Sequence, residues 1–184
     1  MTRIFSTLAI CAQLALGAAF WLGWHIGDAR AHESAAQTRV DVHFLSGVGA
    51  LVFALLVHAL VITYFMGTGR WLEETAAAYR LPASSQSRSR DLKWRLYPAI
   101  VASLTLLILT GALGAAADPA SAVGFKGIGP WTAAQVHFIV ALVTLGINAT
   151  VNVYEYLALC RNGRLVEETL QDVRRIRTER GLEV

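Results

Sequence analysis

The 184-residue chain is short of the residues that mark soluble, disulfide-linked or disordered proteins. Only 16% of its residues are charged, against about 25% in an average soluble domain. Its two cysteines, Cys11 and Cys160, cannot build a disulfide framework or a CxxC metal site. Four prolines are too few for a proline-rich or collagen-like chain. Since the sequence also lacks a nucleophile–base motif, a P-loop and a dinucleotide fingerprint, a conventional hydrolase is disfavoured.

Four long apolar runs account for most of the sequence, of which 55% is hydrophobic. A bilayer core about 30 Å thick requires roughly 20 mostly apolar residues per helix. The segments that satisfy this are about Ile4–Trp24, Val42–Met66, Leu96–Ala117 and Trp131–Cys160. Glu155 is the exception to their lack of charge. We therefore predict an all-α integral membrane protein, residues 1–184 forming a single membrane domain with four transmembrane helices.

Lysine and arginine are distributed unevenly between these runs. Thirteen of the sixteen lie before the first run, between the second and third, or after the fourth. The other two loops hold only Arg30, Arg39 and Lys126. The positive-inside rule then predicts that both termini are cytoplasmic, in a bacterial-type inner membrane. The net charge of +3 is interpreted as a topology signal and a contact with the lipid bilayer, and no nucleic-acid partner is expected.

The second half of the chain repeats the first in the same direction. Residues 42–75 align without a gap with residues 136–169, at an offset of 94, and ten of the 34 positions are identical. The identities include Val-His-Phe at the start of each copy and Glu-Glu-Thr at its end. We therefore predict that the chain is a duplicated helical hairpin, whose two copies are parallel repeats.

The predicted parts are repeat one about 1–80, a flexible linker about 81–93, repeat two about 94–169 and a cytoplasmic tail about 162–180. The tail carries apolar residues at helical spacing, with charges elsewhere. It is therefore expected to be an amphipathic helix that continues from the fourth span, with a hinge near Gly163.

Two histidines, His43 and His137, occupy equivalent positions of the repeats, at the outer ends of spans two and four. The helical face below His43 begins with Gly47 and Ala50, whose small side chains leave room for a cofactor. The face below His137 carries the polar residues Thr144, Asn148 and Asn152. Because lipid cannot satisfy polar groups, these faces should point into the bundle.

Two inward imidazoles can supply both axial ligands of haem iron, so we predict one b-type haem, with Arg39 pairing with its propionates. Further candidates for the propionates are Arg30 and Lys126.

This pattern resembles the membrane cytochrome b family, four-helix anchors in which paired transmembrane histidines hold haem between helices. The resemblance covers the four spans, and its specific residues are His43 and His137. It implies a membrane electron-transfer subunit that passes electrons between a partner redox protein and quinone or another cofactor. Many family members carry a second histidine pair, whereas the repeat mate of His58 is Asn152, so the second haem is not expected.

A second predicted site consists of His58, Asn152 and Glu155, in the cytoplasmic half of the same inward faces. An ionisable residue within a span is a functional candidate. A quinone carbonyl or a proton relay can use His58 as donor and Glu155 as acceptor. The alternative is a hydrogen bond between His58 and Asn152 that holds two helices together.

Other interpretations of the same residues stay open at this point. His43 and His137 can be interfacial residues whose polar ends stay wet, or ligands of another metal such as copper or zinc. The residues on the same side that suggest the metal are His25, Asp28, His32, Glu33 and Asp41. The whole chain can also be a cofactor-free accessory or assembly subunit of a larger membrane complex, or a small transporter. An electron carrier, rather than a catalyst, is the first expectation.

Overall fold

The computed structural model describes residues 1–27 and 34–182. Its four α-helices are α1 (Thr2–Trp24), α2 (Ser34–Tyr79), α3 (Ser84–Ala117) and α4 (Ala133–Glu179). Each contains a stretch that is long and apolar enough to cross a membrane. The predicted all-α fold with four spanning helices is therefore confirmed at this level, and the chain is a multi-pass membrane protein by helix length and hydropathy.

The four helices form a bundle in which α2 and α4 face each other across the middle. The closest packing is within each hairpin, α1 against α2 and α3 against α4. The backbones of α2 and α4 also come close, whereas no Cα atoms of α1 and α3 lie within 8 Å of each other in the described residues. The two helices that carry His43 and His137 therefore form the short diagonal of the bundle. Large apolar side chains on the outward faces, such as Leu14, Leu45 and Ile108, are exposed, as lipid contact requires.

The two ends of the bundle differ in length. At one end, called here the loop end, lie the connections from α1 to α2 and from α3 to α4. At the other, the extension end, α2, α3 and α4 run beyond the predicted spans. Helices α2 and α4 have 46 and 47 residues, about 70 Å each. A bilayer core takes up only about 30 Å of that length.

The extension end is more ordered than the sequence predicts. Helix α3 begins at Ser84, so most of the predicted linker 81–93 is helical and only residues 80–83 connect it to α2. Helix α4 passes through Gly163 without interruption, which corrects the predicted hinge. Both differences have one cause, because the extensions pack on each other and bury residues such as Leu72 and Leu165.

A polar cluster joins the extensions of α2, α3 and α4. The buried hydroxyl of Ser89 donates to Oδ1 of Asn162 at 2.6 Å, and Nδ2 of Asn162 donates to the Thr68 hydroxyl at 2.9 Å. Ser89 and Asn162 are almost completely buried. The amide therefore finds both of its partners inside the protein, which explains why a serine-rich segment is helical here.

Replacing Ser89 with alanine is expected to lower the free energy of unfolding by about 1–2 kcal/mol, because Oδ1 of Asn162 then stays buried without this donor. Titration of the purified protein with SDS in mixed micelles measures the change. Ser84→Ala is the matched control, since Ser84 is exposed at the start of the same helix. Equal stability of the two variants would show that the hydrogen bond does not hold α3 in place.

The loop end carries a short β-hairpin that the sequence analysis did not predict. Strands β1 (Gly127–Ile128) and β2 (Trp131–Thr132) pair antiparallel directly before α4. Gly127 has a φ of 121°, and a Cβ there would collide with the Trp131 carbonyl oxygen. Thr132 then caps α4, its hydroxyl accepting from the Gln135 backbone amide while the Gln135 side chain accepts from the Thr132 amide. The hairpin and the cap together fix where α4 begins.

Candidate functional site

A cavity of about 290 Å³ opens between the helices at the loop end. All four helices line it, and its wall is apolar with many small residues. Examples of the small lining residues are Ala19, Gly23, Gly47, Gly111, Gly114 and Ala141. The two histidines predicted to face each other, His43 from α2 and His137 from α4, both lie on this wall.

Helix α1 orients the imidazole of His43. Nδ1 donates to the backbone carbonyl of Ala19 at 3.0 Å. Because a carbonyl oxygen can only accept, Nδ1 carries a proton, and in the neutral imidazole Nε2 then has the lone pair. Metal-binding histidines usually donate their other ring nitrogen in this way. The ring lies against Gly23, where a Cβ would come within 2.7 Å of Cε1.

The imidazole of His137 packs against α3. The ring lies against Gly114, where a Cβ would be 3.0 Å from Cε1. Nδ1 is buried and makes no hydrogen bond of normal geometry within the described chain, although the backbone of Thr110 lies nearby. In each hairpin, therefore, a glycine of the first helix makes room for the histidine of the second.

The two imidazoles lie 6.2 Å apart between ring centroids, with their planes inclined by 68°. A bond from a metal to an imidazole nitrogen is about 2 Å long. Two imidazoles on opposite sides of one metal consequently have centroids about 6 Å apart. The observed spacing is compatible with one metal ion held by both imidazoles.

The copper or zinc alternative receives no support from the described residues. Among them, no three His, Cys, Asp or Glu side chains group closely enough to hold a metal ion. Three of the residues that suggested it, Asp28, His32 and Glu33, lie outside the described residues. His25 is exposed, and its Nδ1 donates to the Trp21 carbonyl at 2.8 Å.

The other residues predicted for the haem site occupy different places. Gly47 lines the cavity, whereas Ala50, one turn further along α2, is buried away from its wall. Arg39 is exposed at the loop end, where its Nε donates to the Ile26 carbonyl at 3.1 Å. Lys126 is exposed in the loop before β1, and Arg30 lies outside the described residues.

A second polar site lies deeper in the bundle, and all four helices contribute to it. His58 and Glu155 are fully buried, and Nδ1 of His58 faces Oε1 of Glu155 at 2.7 Å. Nε2 of His58 donates to Oδ1 of Asn148 at 2.9 Å and to the Ser103 hydroxyl at 3.0 Å. Nδ2 of Asn148 donates to Oε1 of Gln13 at 2.9 Å. We call Gln13, His58, Ser103, Asn148 and Glu155 the His58 cluster.

The structure brings together two of the three residues predicted for this site. His58 and Glu155 pair directly, but the partner amide of His58 is Asn148 rather than Asn152. Oδ1 of Asn152 and Oε2 of Glu155 are buried without a hydrogen bond in the described structure. The alternative His58–Asn152 hydrogen bond is therefore corrected, because Asn148, one turn earlier on α4, points at His58 instead.

Sequence analysis did not single out several residues that shape the two sites. Gly23 and Gly114 are ordinary glycines in apolar runs, and nothing in the sequence indicates how closely a histidine approaches them. Ser103 and Gln13 are isolated polar residues within spans, which is a usable signal because polar groups in a membrane face the bundle interior. Asn148 was on the predicted polar face below His137 but was not assigned to a site.

Comparisons with protein-family models, with curated proteins and with solved structures found no match to this chain.

Proposed function

We propose that this chain is a membrane electron-transfer subunit that holds one b-type haem between α2 and α4 at the loop end. The observation that carries the proposal is the position of His43 and His137, whose rings lie 6.2 Å apart on the wall of one cavity. When bound, haem would supply reversible one-electron chemistry. The protein would hold and orient the group and keep its surroundings apolar.

Three features of the cavity support haem rather than an empty crevice. Nε2 of His43 keeps a lone pair while Nδ1 is tied to α1, which is how ligating histidines are oriented. Gly23 and Gly114 leave the space that both rings occupy. The wall of the cavity is largely apolar, and the cavity reaches the exposed loop residue Pro119.

The distribution of basic residues supports placing the loop end outside. The extension end would then lie in the cytoplasm, with both chain termini, and the membrane would be a bacterial-type inner membrane. Arg39 and Lys126 are exposed at the loop end, where they would pair with the haem propionates. A partner subunit of a membrane redox complex would deliver or accept the electrons.

A reduced-minus-oxidised absorption spectrum of the detergent-purified protein tests the proposal, with a pyridine haemochrome assay for stoichiometry. We expect a sharp low-spin α-band and one b-type haem per chain. A colourless protein from haem-replete cells would overturn the proposal. In that case a cofactor-free accessory or assembly subunit becomes the better interpretation, and co-purification with a large complex would support it.

Gly23→Ala is expected to weaken haem binding by about 10-fold or more without unfolding the bundle. The new Cβ would come within 2.7 Å of the His43 ring, which must move, and misplacing a metal ligand typically costs 10- to 100-fold in affinity, roughly as for lost outer-shell contacts. Haem content is measured after purification and after titration with haemin. Gly17→Ala is the matched control, because nothing lies within 4 Å of a Cβ at that position of the same helix. Equal haem content in both variants would contradict the role of Gly23.

A further inference from the structure

The His58 cluster is a chain of hydrogen bonds whose direction is fixed at one end. Nε2 of Gln13 donates to the backbone carbonyl of Leu145 at 3.0 Å, and a carbonyl oxygen can only accept. Oε1 of Gln13 is therefore the acceptor for Nδ2 of Asn148. Oδ1 of Asn148 must then be an acceptor for Nε2 of His58, so Nε2 carries a proton.

This direction determines how many protons the His58–Glu155 contact holds. With Nε2 protonated, Nδ1 of His58 faces Oε1 of Glu155 at 2.7 Å. Two bare lone pairs repel each other at this distance, so one more proton lies between the two atoms, on Nδ1 or on Oε1. The pair is then neutral overall, which its complete burial favours. Oε2 of Glu155, buried and without a hydrogen bond in the described chain, is a free acceptor for a second proton.

We propose that the His58–Glu155 pair is a proton-binding site that takes up a proton at Oε2 of Glu155 when an electron enters the cavity at the loop end. This inference rests on the proposed function. Each electron from a one-electron donor makes the cavity more negative by one charge, and each proton that the pair takes from water offsets one such charge. The donor is oxidised by one electron, and hydroxide stays in the water.

A column of buried polar groups on α4 extends from this pair toward both ends of the bundle. Thr144 lines the cavity and its hydroxyl lies 2.7 Å from that of Thr110. Asn148 follows one turn later on α4, then Glu155 and, two turns further on, Asn162 in the extensions. All four of these α4 residues are at most 3% exposed. Both ring nitrogens of His58 are engaged inside this column, which favours a proton over a quinone carbonyl as the ligand.

The expected linkage is partial, because the two sites are well separated. Fifteen residues of α2 separate His43 from His58, about 22 Å along the helix. At an effective dielectric constant of about 20, a unit charge at that distance changes proton affinity about threefold to fourfold. At the pH where the pair is half-titrated, this corresponds to about a third of a proton per electron.

The groups that contact the pair from the other helices do not titrate. They are Ser103 from α3 and Asn148 from α4, with Gln13 of α1 behind Asn148. His43 and His137 lie at the loop end, and the remaining titratable side chains in the neighbouring spans make no hydrogen bond to the pair within the described chain. These side chains are Cys11, Tyr64, Tyr97, Tyr154, Tyr156 and Cys160. A proton signal from this depth can therefore be assigned to His58 and Glu155.

Proton uptake during electrochemical reduction of the haem-loaded protein tests the proposal, with a pH-indicator dye in weakly buffered detergent solution. We expect uptake of about a third of a proton per electron at the optimum pH and its loss in Glu155→Gln. Asn152→Ala is the matched control, one turn away on the same helix and outside the cluster. Uptake that is the same in Glu155→Gln and the wild type would overturn the proposal.

Infrared difference spectra separate this proposal from the proposed function and do not depend on a folded variant. In the haem-free wild type, a buried carboxylic-acid band is expected to change with pH, and in the loaded protein the same band should change on reduction. A band that is constant at every accessible pH would overturn the proton site even if haem binds. A chain that binds no haem would overturn the proposed function and the electron-linked uptake, while the titrating band would still establish a proton site.

Discussion

Alanine at either His43 or His137 is expected to abolish the low-spin haem spectrum. The imidazoles come from different helices and face one cavity with centroids 6.2 Å apart, so neither can replace the other as the second axial ligand. Loss of a residue that merely orients a ligand costs about 10- to 100-fold in metal affinity. Loss of the ligand itself should exceed that range. Haem stoichiometry and the position of the α-band, measured on each purified variant, report the effect directly.

His25→Ala is the control for this pair of variants. His25 is at the same end of the bundle, but it is exposed and its ring contacts Trp21. Its loss should leave the spectrum unchanged. The ligand assignment would be wrong if His43→Ala or His137→Ala purified with one low-spin haem per chain.

Asn148→Leu is expected to be the most destabilising single substitution in the spans. The Asn148 side chain accepts from His58 and Ser103 and donates to Gln13, so leucine leaves two buried groups and one half-buried group without this partner. An unsatisfied buried group costs about 1–3 kcal/mol in soluble proteins. In membranes a single polar contact averages only about 0.6 kcal/mol, because the unfolded chain also finds partners. Three losses sum to about 2 kcal/mol at the membrane average and to about 3 kcal/mol at the lower end of the soluble range, so we expect a loss of about 2–3 kcal/mol. Unfolding with SDS in mixed micelles measures it.

The same substitution one turn later supplies the control for Asn148. Oδ1 of Asn152 is buried without a partner in the described structure. Asn152→Leu therefore removes an acceptor that makes no hydrogen bond, whereas Asn148→Leu removes a side chain that makes three. We expect a stability equal to the wild type or slightly higher. If the two leucine variants were equally destabilised, loss of the hydrogen bonds would not be the cause.

The four spans could be predicted from the sequence because burial in lipid demands long apolar runs, and those runs are visible without knowing any contact. The ends of the helices could not be predicted equally well. Beyond the membrane, α2 and α4 are amphipathic and charged, and residues 84–93 are rich in serine and arginine. Their helical structure depends on partners such as Asn162 for Ser89. Local composition does not reveal a partner 73 residues away.

For the two sites as well, the sequence pattern predicts which residues share a helix face but not which of them make contact. The internal repeat predicts that His43 and His137 occupy matching positions, and the short diagonal between α2 and α4 brings them together. Helical periodicity also placed Asn148 and Asn152 on one face of α4. It could not decide between them, because positions four residues apart differ by only about 40° around the helix. Which of the two amides reaches His58 depends on the rotation of α4 against α2, and that is set by the packing of the whole bundle.

The unbroken length of α2 and α4 gives the protein a mechanical property. From His43 to the end of α2 at Tyr79 is about 54 Å of continuous helix, and α4 runs alongside it through Gly163. A helix without a joint is stiff along its axis and curves only gently. Each of these two helices carries its histidine near the loop end and has its other end, packed against the neighbouring extensions, far from that histidine. A load that spreads or twists the tips would be transmitted to the gap between the imidazoles.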